Sequence, residues 1–254
     1  MNRQRHWLRP ALVALLIGLA IALLATASAG AAESGHVLAA LLQWFRDPAQ
    51  WQGAQGIPLR LAEHVGYVLW SMLMGMAVAL PLGIGLGHYG RGGTLAINIS
   101  NIGRAIPSFG LIILVFLLVG FGIVPILVAL TALAIPPMVT NSYVGMRSVE
   151  PAIRQAARAM GMTAWQTLWR VELPIALPLV MAGIRTSAVQ VVSTATLAAY
   201  VGLGGLGRYL IDGLATRELT QVVGGAIVVA LLAIVTEAVL AWLQKRIVSA
   251  GLIR

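Results

Sequence analysis

The stretch from Gly202 to Gly207 has the glycine spacing of a phosphate-binding turn. Its letters, GLGGLG, match G-x-G-x-x-G, in which the glycines let the backbone approach a pyrophosphate. That chemistry also requires a preceding strand and a following helix within a soluble βαβ unit. Here a long apolar stretch of helical composition leads into the motif. The spacing alone therefore does not predict a dinucleotide site.

The lysine content excludes the usual way of binding ATP. A P-loop needs a lysine that reaches the β- and γ-phosphates, followed by a serine or threonine that binds Mg²⁺. The chain has one lysine, Lys245, and it lies between Gln244 and Arg246. We therefore expect no cofactor in this chain, and any ATP that drives it must be bound by a separate subunit.

The sequence also lacks the residue patterns of a metal site and of an enzyme active site. The chain has no cysteine, and its four histidines, His6, His36, His64 and His88, lie far apart without the spacing of metal ligands. No nucleophile and base are paired near a predicted membrane surface. The sequence predicts neither a metal site nor a catalytic site.

The composition is that of an all-α integral membrane protein. Of the 254 residues, 59% are hydrophobic and 10% are charged, with a mean hydropathy of +0.89, whereas soluble domains carry about 25% charged residues. The net charge of +9 is spread between the apolar blocks. This distribution favours a multi-pass protein of the inner membrane, in contact with lipid, over a nucleic-acid-binding protein.

One polar run between apolar blocks, residues 148–174, predicts two short helices joined by a tight turn. Pro151 suits a first helical turn, and Gly161 suits a left-handed C-terminal cap. Thr163 and Gln166 then form the pattern of a capping box. Three arginines make the unit basic, as in a DNA-binding helix-turn-helix, but the flanking membrane spans argue against that function.

The same run resembles the "EAA" loop of ABC importer permeases, E-A-A-x3-G-x9-I-x-L-P. The spacing matches, with Gln155 in place of glutamate and Val171 in place of isoleucine. The resemblance implies a type I importer permease whose cytoplasmic loop docks on an ATPase subunit. The residues that it assigns to this ATPase-coupling loop are Glu150, Gln155, Ala156, Ala157, Gly161, Met162, Leu173 and Pro174.

Apolar runs of about 20 residues, the length needed to cross a bilayer, predict about six transmembrane helices. They cover residues 10–29, 66–87, 95–119, 123–146, 173–201 and 219–243. Pro107 should kink the third span, and Pro136-Pro137 should break the fourth. The first run also resembles a signal peptide, because Ala27-Ser28-Ala29 is a small-x-small site, but we favour an uncleaved span.

These runs divide the chain into four parts. They are an N-terminal membrane anchor over 1–30, a polar and irregular extracytoplasmic segment over 31–65, a permease domain over 66–246 containing the loop 148–174, and a tail over 247–254. With both termini in the cytoplasm, eleven of the 17 lysines and arginines fall on the cytoplasmic side and four in outer loops. The positive-inside rule supports this orientation.

Two spans carry polar side chains that are candidates for lining a translocation path. These residues are Asn98, Asn101, Arg104, Ser108, Arg185, Thr186, Gln190, Ser193 and Thr194. Polar groups at membrane depth avoid lipid and face protein or water. For the later span, hydrogen bonds between helices explain the pattern as well as a pore lining does. Arg104 could instead snorkel to the cytoplasmic interface, and Glu237 could pair with Arg185 or Arg104, although solvation near the interface is the simpler expectation.

Residues 194–214, TATLAAYVGLGGLGRYLIDGL, with MAGIRTS before them, closely resemble permeases of osmoprotectant importers. This resemblance covers most of 61–243 and implies import of glycine betaine, choline, carnitine or a similar solute. It also implies an ATPase dimer, a second permease subunit and a separate extracytoplasmic solute-binding protein. The alternatives are a permease for methionine or another amino acid, and an ion-coupled secondary carrier.

Overall fold

The computed structural model describes residues 31–90, 92–94, 98 and 105–248. The elements formed by these residues are helices, as the composition predicts. In chain order they are α1 (Ala31–Arg46), α2 (Ile57–Tyr89), α3 (Ser108–Val119), α4 (Ile123–Arg147), α5 (Pro151–Ala159), α6 (Ala164–Thr167), α7 (Leu173–Thr194), α8 (Gly207–Thr216) and α9 (Leu219–Ile247). Shorter segments are a 3-10 turn at Pro48–Gln50, a π-turn at Leu168–Glu172 and a 3-10 segment at Ala195–Val201.

Four helices of the described part are long and apolar enough to cross a membrane. They are α2, α4, α9 and the continuous helix Ala164–Val201, which contains α7. Helix α3 is apolar but has only 12 residues. The predicted span over residues 10–29 lies outside the described residues. The total of about six spans and the cytoplasmic location of both termini stay predictions.

Helix α2 packs on α4 through a stripe of small residues spaced four apart. The stripe consists of Ser71, Gly75, Ala79, Gly83 and Gly87, and all five are buried. A Cβ atom added to Gly83 would lie 2.7 Å from the Val139 carbonyl oxygen, and one added to Gly87 would lie 2.4 Å from Met146 Cβ. Small residues let membrane helices approach closely, because dispersion and backbone contacts replace the hydrophobic effect that water would provide. We call these residues the small-residue stripe.

Helix α4 runs without a break through Pro136-Pro137, so the predicted break is wrong. Both prolines are buried where α4 lies against its neighbours. The Ser187 hydroxyl of α7 donates a hydrogen bond of 2.8 Å to the Ala134 carbonyl, two residues before the first proline. Asn141, in α4 itself, donates from its side chain to the Pro137 carbonyl at 2.8 Å. Burial against neighbouring helices and these bonds thus accompany a helix that two prolines would weaken in isolation.

Two other segments differ from the predicted elements. Pro107 has an extended backbone, and α3 begins only at Ser108, so the described part of the third span is broken and not merely kinked. Residues 31–46 form α1, although an irregular segment was predicted there. Helix α1 packs on α9, where the Trp44 ring covers Gly224 so closely that an added Cβ atom would lie 2.7 Å from it. Helix α2 begins at Ile57, earlier than the predicted span start at Gly66.

The small-residue stripe makes a prediction with an internal control. In Gly83→Ala, the added methyl group meets α4 at 2.7 to 2.8 Å; we expect this overpacking to lower stability by about 1 to 3 kcal/mol. Gly85→Ala lies in the same helix, where an added Cβ atom meets nothing within 4 Å. It should be neutral or stabilising by up to about 1 kcal/mol. Thermal unfolding of the two purified variants in detergent compares them directly, and equal melting temperatures would contradict close packing at Gly83.

Candidate coupling surface

The turn after α5 has the geometry that the sequence predicts. Gly161 has φ of +81°, a left-handed conformation that strains other residues. Its N–H donates to the Arg158 carbonyl at 2.9 Å, and the Met162 N–H donates to the Ala157 carbonyl at 3.1 Å. These two bonds define a Schellman motif. The prediction of a glycine cap at Gly161 is confirmed.

The predicted capping box is also present, but the helix that it opens does not end where expected. The Thr163 hydroxyl accepts from the Gln166 N–H at 3.2 Å, and the Gln166 side chain accepts from the Thr163 N–H at 2.9 Å. Helix α6 then continues through the π-turn into α7, so the predicted second short helix is the first part of a long one. Pro174 lacks an N–H group, and the Leu173 N–H bonds back to the Leu168 carbonyl. Pro174 therefore lies inside a continuous helix, although a proline at this position is typical of a helix start.

The coupling-loop residues divide into an exposed set and a buried set. Glu150, Gln155, Ala156, Gly161 and Pro174 are exposed, whereas Ala157 is buried and Met162 and Leu173 are half-buried. Apolar side chains that the sequence argument did not single out extend the exposed set: Met160 is 74% and Trp165 is 67% exposed, and Ile153 and Trp169 accompany them. The Trp165 and Trp169 rings pack edge to face with centroids 5.3 Å apart, and exposed apolar groups of this kind on a polar loop are typical of a protein-binding site.

A buried charge cluster lies directly beneath this surface. The Glu172 side chain is 3% exposed, and its Oε2 atom lies 2.5 Å from His88 Nδ1 at the end of α2. Its Oε1 atom lies 3.0 Å from Arg154 Nε on α5. Arg154 Nη2 also donates to the Met146 carbonyl near the end of α4. We call Glu172, His88 and Arg154 the anchor cluster.

The sequence argument missed this cluster. His88 was considered only as a metal ligand, and Glu172 only as a letter of the loop motif. The available signal was a carboxylate next to an apolar span, because such a group needs a cationic partner. The identity of the partner could not be deduced, since His88 and Glu172 are 84 residues apart in the chain.

The candidate path residues lie mostly on accessible parts of the helices. Thr186, Ser193 and Asn98 are exposed, and Ser108, Gln190, Thr194 and Arg185 are half-buried. Asn101 and Arg104 lie outside the described residues. The Thr186 and Ser193 hydroxyls donate to carbonyls of their own helix, those of Ala182 and Val189.

Two aromatic rings accompany Ser108 at one end of this face. Phe109 and Tyr200 pack edge to face with ring centroids 5.1 Å apart. Both side chains are about half exposed, at 45% and 51%. The sequence analysis did not single out either ring.

Arg185 and Glu237 are ion-paired and join α7 to α9. The expectation that Glu237 is simply solvated is therefore wrong. Arg185 Nη1 also donates to Gln244 Oε1 at 2.8 Å, and Gln244 Nε2 donates to the Pro178 carbonyl at 3.2 Å. Pairing offsets the high cost of a charge at membrane depth. The pairing with Arg185 was one of the alternatives open from the sequence, which does not show that α7 and α9 are neighbours.

The glycines of the GLGGLG motif serve close packing around a carboxylate. The Gly205 N–H donates to Glu63 Oε2 at 2.7 Å, and Arg60 pairs with the same oxygen at 3.1 Å. A Cβ atom on Gly204 would lie 2.0 Å from Glu63 Oε2. Nearby, the Tyr209 hydroxyl donates to the Gln55 carbonyl at 2.6 Å, and burial raises the pKa of Tyr209 above its usual value. The motif ties α2 to the segment after α7, and its context is helical throughout.

The Arg185–Glu237 pair makes a prediction for which an ion pair outside the candidate spans is the control. Arg185→Ala leaves Glu237 without its partner within a span, and we expect a loss of about 3 kcal/mol. The double variant Arg185→Ala/Glu237→Ala should recover part of that loss. In α8, which is not a candidate membrane span, Arg208 and Asp212 form an i, i+4 pair at 2.9 Å with side chains 33% and 40% exposed, and Arg208→Ala should cost at most about 1 kcal/mol. Thermal unfolding of the four proteins in one detergent tests this, and equal losses for both single variants would contradict it.

Comparison with known proteins matches the chain to one family and to several named relatives. The family described as "Binding-protein-dependent transport system inner membrane component" matches residues 71–249. The glycine betaine/carnitine/choline transport system permease protein OpuCB of Bacillus subtilis is 36% identical over 193 residues, which cover 76% of this chain and 89% of that protein. The choline transport system permease protein OpuBB of the same organism is 38% identical over 192 residues, covering 76% and 88%.

A third relative and two solved structures extend these matches. The osmoprotectant import permease protein OsmW of Salmonella typhimurium is 34% identical over 190 residues, covering 73% of this chain and 86% of that protein. Inward-facing structures of the MetNI methionine ABC transporter align with TM-scores of 0.65 and 0.61 at 22% and 24% identity. They cover 80% and 74% of this chain, and 99% and 94% of those chains.

The structural matches establish the fold as that of an ABC importer permease. The sequence matches span well over half of the chain and most of each relative. This multi-pass inner membrane protein belongs to the family of binding-protein-dependent transport system inner membrane components.

Proposed function

We propose that this chain is the transmembrane permease subunit of an ATP-driven ABC importer for a quaternary-ammonium osmoprotectant, such as glycine betaine, choline or carnitine. The observation that carries this proposal is the identity of 34 to 38% with three permeases, two named for glycine betaine, carnitine or choline and one named for osmoprotectants. The methionine transporter shares only 22 to 24% identity. Its likeness supports the fold and gives no comparable support for methionine as the solute.

The exposed side of residues 148–174 is the proposed docking surface for the ATPase subunits. It combines the rigid turn at Gly161 with exposed apolar side chains, Met160 and Trp165 among them. An amphipathic helix of this kind can insert its apolar side into a groove on a partner. Because the chain has no P-loop lysine, ATP is bound by those subunits.

A second permease subunit, identical or paralogous, would cover the polar side of α7. Thr186 and Ser193 are exposed there, and polar side chains at membrane depth avoid lipid. Two such faces that enclose water would form the translocation path. A solute-binding protein on the outer side would deliver the solute, while the exposed apolar residues of α9, such as Leu231 and Val235, contact lipid.

Uptake into vesicles tests this function. The complex that co-purifies with the tagged chain from its own membranes is reconstituted with its binding protein, and labelled glycine betaine, choline, carnitine and methionine are compared. We expect ATP-dependent uptake of at least one quaternary-ammonium solute and none of methionine. Uptake of methionine alone would overturn the proposed solute. Uptake that needs no ATP and collapses with an ion gradient would identify a secondary carrier.

Gly161 is the residue at which a small change should separate folding from coupling. In Gly161→Val, the left-handed backbone costs about 1 to 2 kcal/mol, and an added Cβ atom meets nothing within 4 Å. This cost is too small to unfold the protein, but it shifts the start of α6 and adds bulk to the docking surface. We expect normal abundance in the membrane together with loss of ATPase co-purification and of uptake.

Gly53→Val is the matched control for this variant. Gly53 also has a left-handed backbone, with φ of +74°, and an added Cβ atom there also meets nothing within 4 Å. It lies in the predicted extracytoplasmic segment, so the strain is similar and the docking surface is untouched. Equal ATPase recovery and transport for the parent and Gly161→Val would show that residues 148–174 form only a solvated loop.

A further inference from the structure

Glu172 of the anchor cluster has two basic partners on two other helices, which is more than one buried carboxylate needs. The carboxylate belongs to the π-turn that joins α6 to α7, and it pairs with His88 at the end of α2 and Arg154 on α5. Arg154 then reaches the Met146 carbonyl near the end of α4. Four separate helical elements therefore meet around one buried carboxylate.

Losing either contact of Glu172, with His88 or with Arg154, costs free energy even when the other contact remains. The two oxygens of Glu172 have different partners, at 2.5 Å for His88 Nδ1 and 3.0 Å for Arg154 Nε. The side chains of all three residues are between 3% and 15% exposed. A buried charge that loses its partner has no water to replace it, so displacement of α5 must carry the carboxylate along or strain the whole cluster.

Helix α5 has few other attachments to the membrane helices. Among its described residues, Arg154 is the one in an ion pair, and Ala157 is the one fully buried. The remaining side chains of α5 are exposed. Arg154 and Glu172 therefore provide the principal polar connection between the docking surface and the spans.

The π-turn accounts for the position of Glu172. A single turn of π-helix inserts an extra residue and rotates the helix that follows. Leu168 and Glu172 at its two ends are both buried, whereas Trp169 and Arg170 between them are exposed. The turn thus places a carboxylate toward α2 while its neighbours stay on the cytoplasmic surface.

We propose that Glu172 is a positioning residue for coupling: through His88 and Arg154 it clamps α5 to the cytoplasmic ends of α2, α4 and α7, so that movement of the docked ATPase is transmitted to the spans. This inference rests on the proposed function, since it concerns how an ATPase drives this permease. In this proposal Glu172 transmits the movement of the ATPase to the spans, whereas the exposed residues of α5 provide the docking contacts.

Glu172→Gln tests the clamp, because the amide keeps the shape of the side chain and removes its charge. We expect normal abundance and normal ATPase co-purification, since the docking surface is unchanged. Solute transported per ATP hydrolysed should fall about tenfold. Glu172→Asp keeps the charge and should restore part of the ratio. Glu218→Gln, an exposed carboxylate in the described chain, is the matched control and should keep the parent ratio.

Hydrogen exchange of α5 provides a readout that does not depend on transport. In the isolated permease, Glu172→Gln should speed exchange of the amides of residues 152–159 about tenfold, which corresponds to about 1.4 kcal/mol. Exchange at the parent rate would overturn the clamp. Faster exchange with an unchanged transport ratio would leave the clamp without a role in coupling and overturn the proposal. Loss of ATPase co-purification in Glu172→Gln would also overturn it, because the residue would then support docking itself.

The two measurements separate this proposal from the proposed function. If the parent complex shows no ATP-driven uptake of any solute, the proposed function and a role of Glu172 in coupling both fail, while the exchange result still decides whether the clamp exists. If the parent transports methionine in place of a quaternary-ammonium solute, the ratio is measured with methionine. The inference about Glu172 is then tested independently of the identity of the solute.

Discussion

Close contact between the backbones of α2 and α4 is the constraint on which the rest of this structure depends. In a membrane, burial of apolar side chains between helices gains little, because lipid is equally apolar. The small-residue stripe instead stabilises the helix pair through dispersion and backbone contacts. At Gly83 and Gly87 there is no room for even a Cβ atom. Helix α7 approaches the other side of α4 in the same way, where a Cβ atom on Gly183 would lie 2.8 Å from Asn141 Cβ.

This packing explains why α4 can contain two adjacent prolines. An isolated helix would lose two backbone hydrogen bonds at Pro136 and Pro137. In this structure α2 and α7 lie close to α4, and the side chains of Ser187 and Asn141 donate to carbonyls near the prolines. The buried proline rings fill the space between the helices. The local preference for a break is overcome by tertiary contacts, and the helix continues to the loop that carries the proposed docking surface.

The sequence sufficed for features that depend on neighbouring residues. The cap at Gly161 and the capping box of Thr163 and Gln166 are local patterns, and the apolar runs identified four membrane helices. Features that depend on distant residues were missed, predicted wrongly or considered without being favoured. The continuity of α4, the Arg185–Glu237 pair and the anchor cluster each require knowledge of which helices are neighbours. Glu172 is informative here, because its presence beside an apolar span predicts a partner but does not say which one.

Polar contacts are concentrated at the two ends of α2, and both ends connect to α7 or its continuation. At one end, His64 Nε2 donates to the Val192 carbonyl at 2.9 Å and Glu63 accepts from Gly205. At the other end, His88 pairs with Glu172. Among the described residues, α4 takes part in no ion pair. It is held between α2 and α7 by close packing and by hydrogen bonds such as that from the Ser187 hydroxyl to the Ala134 carbonyl. In the proposed coupling, movement of Glu172 would therefore act on α2 through His88 and on the end of α4 through Arg154 and the Met146 carbonyl.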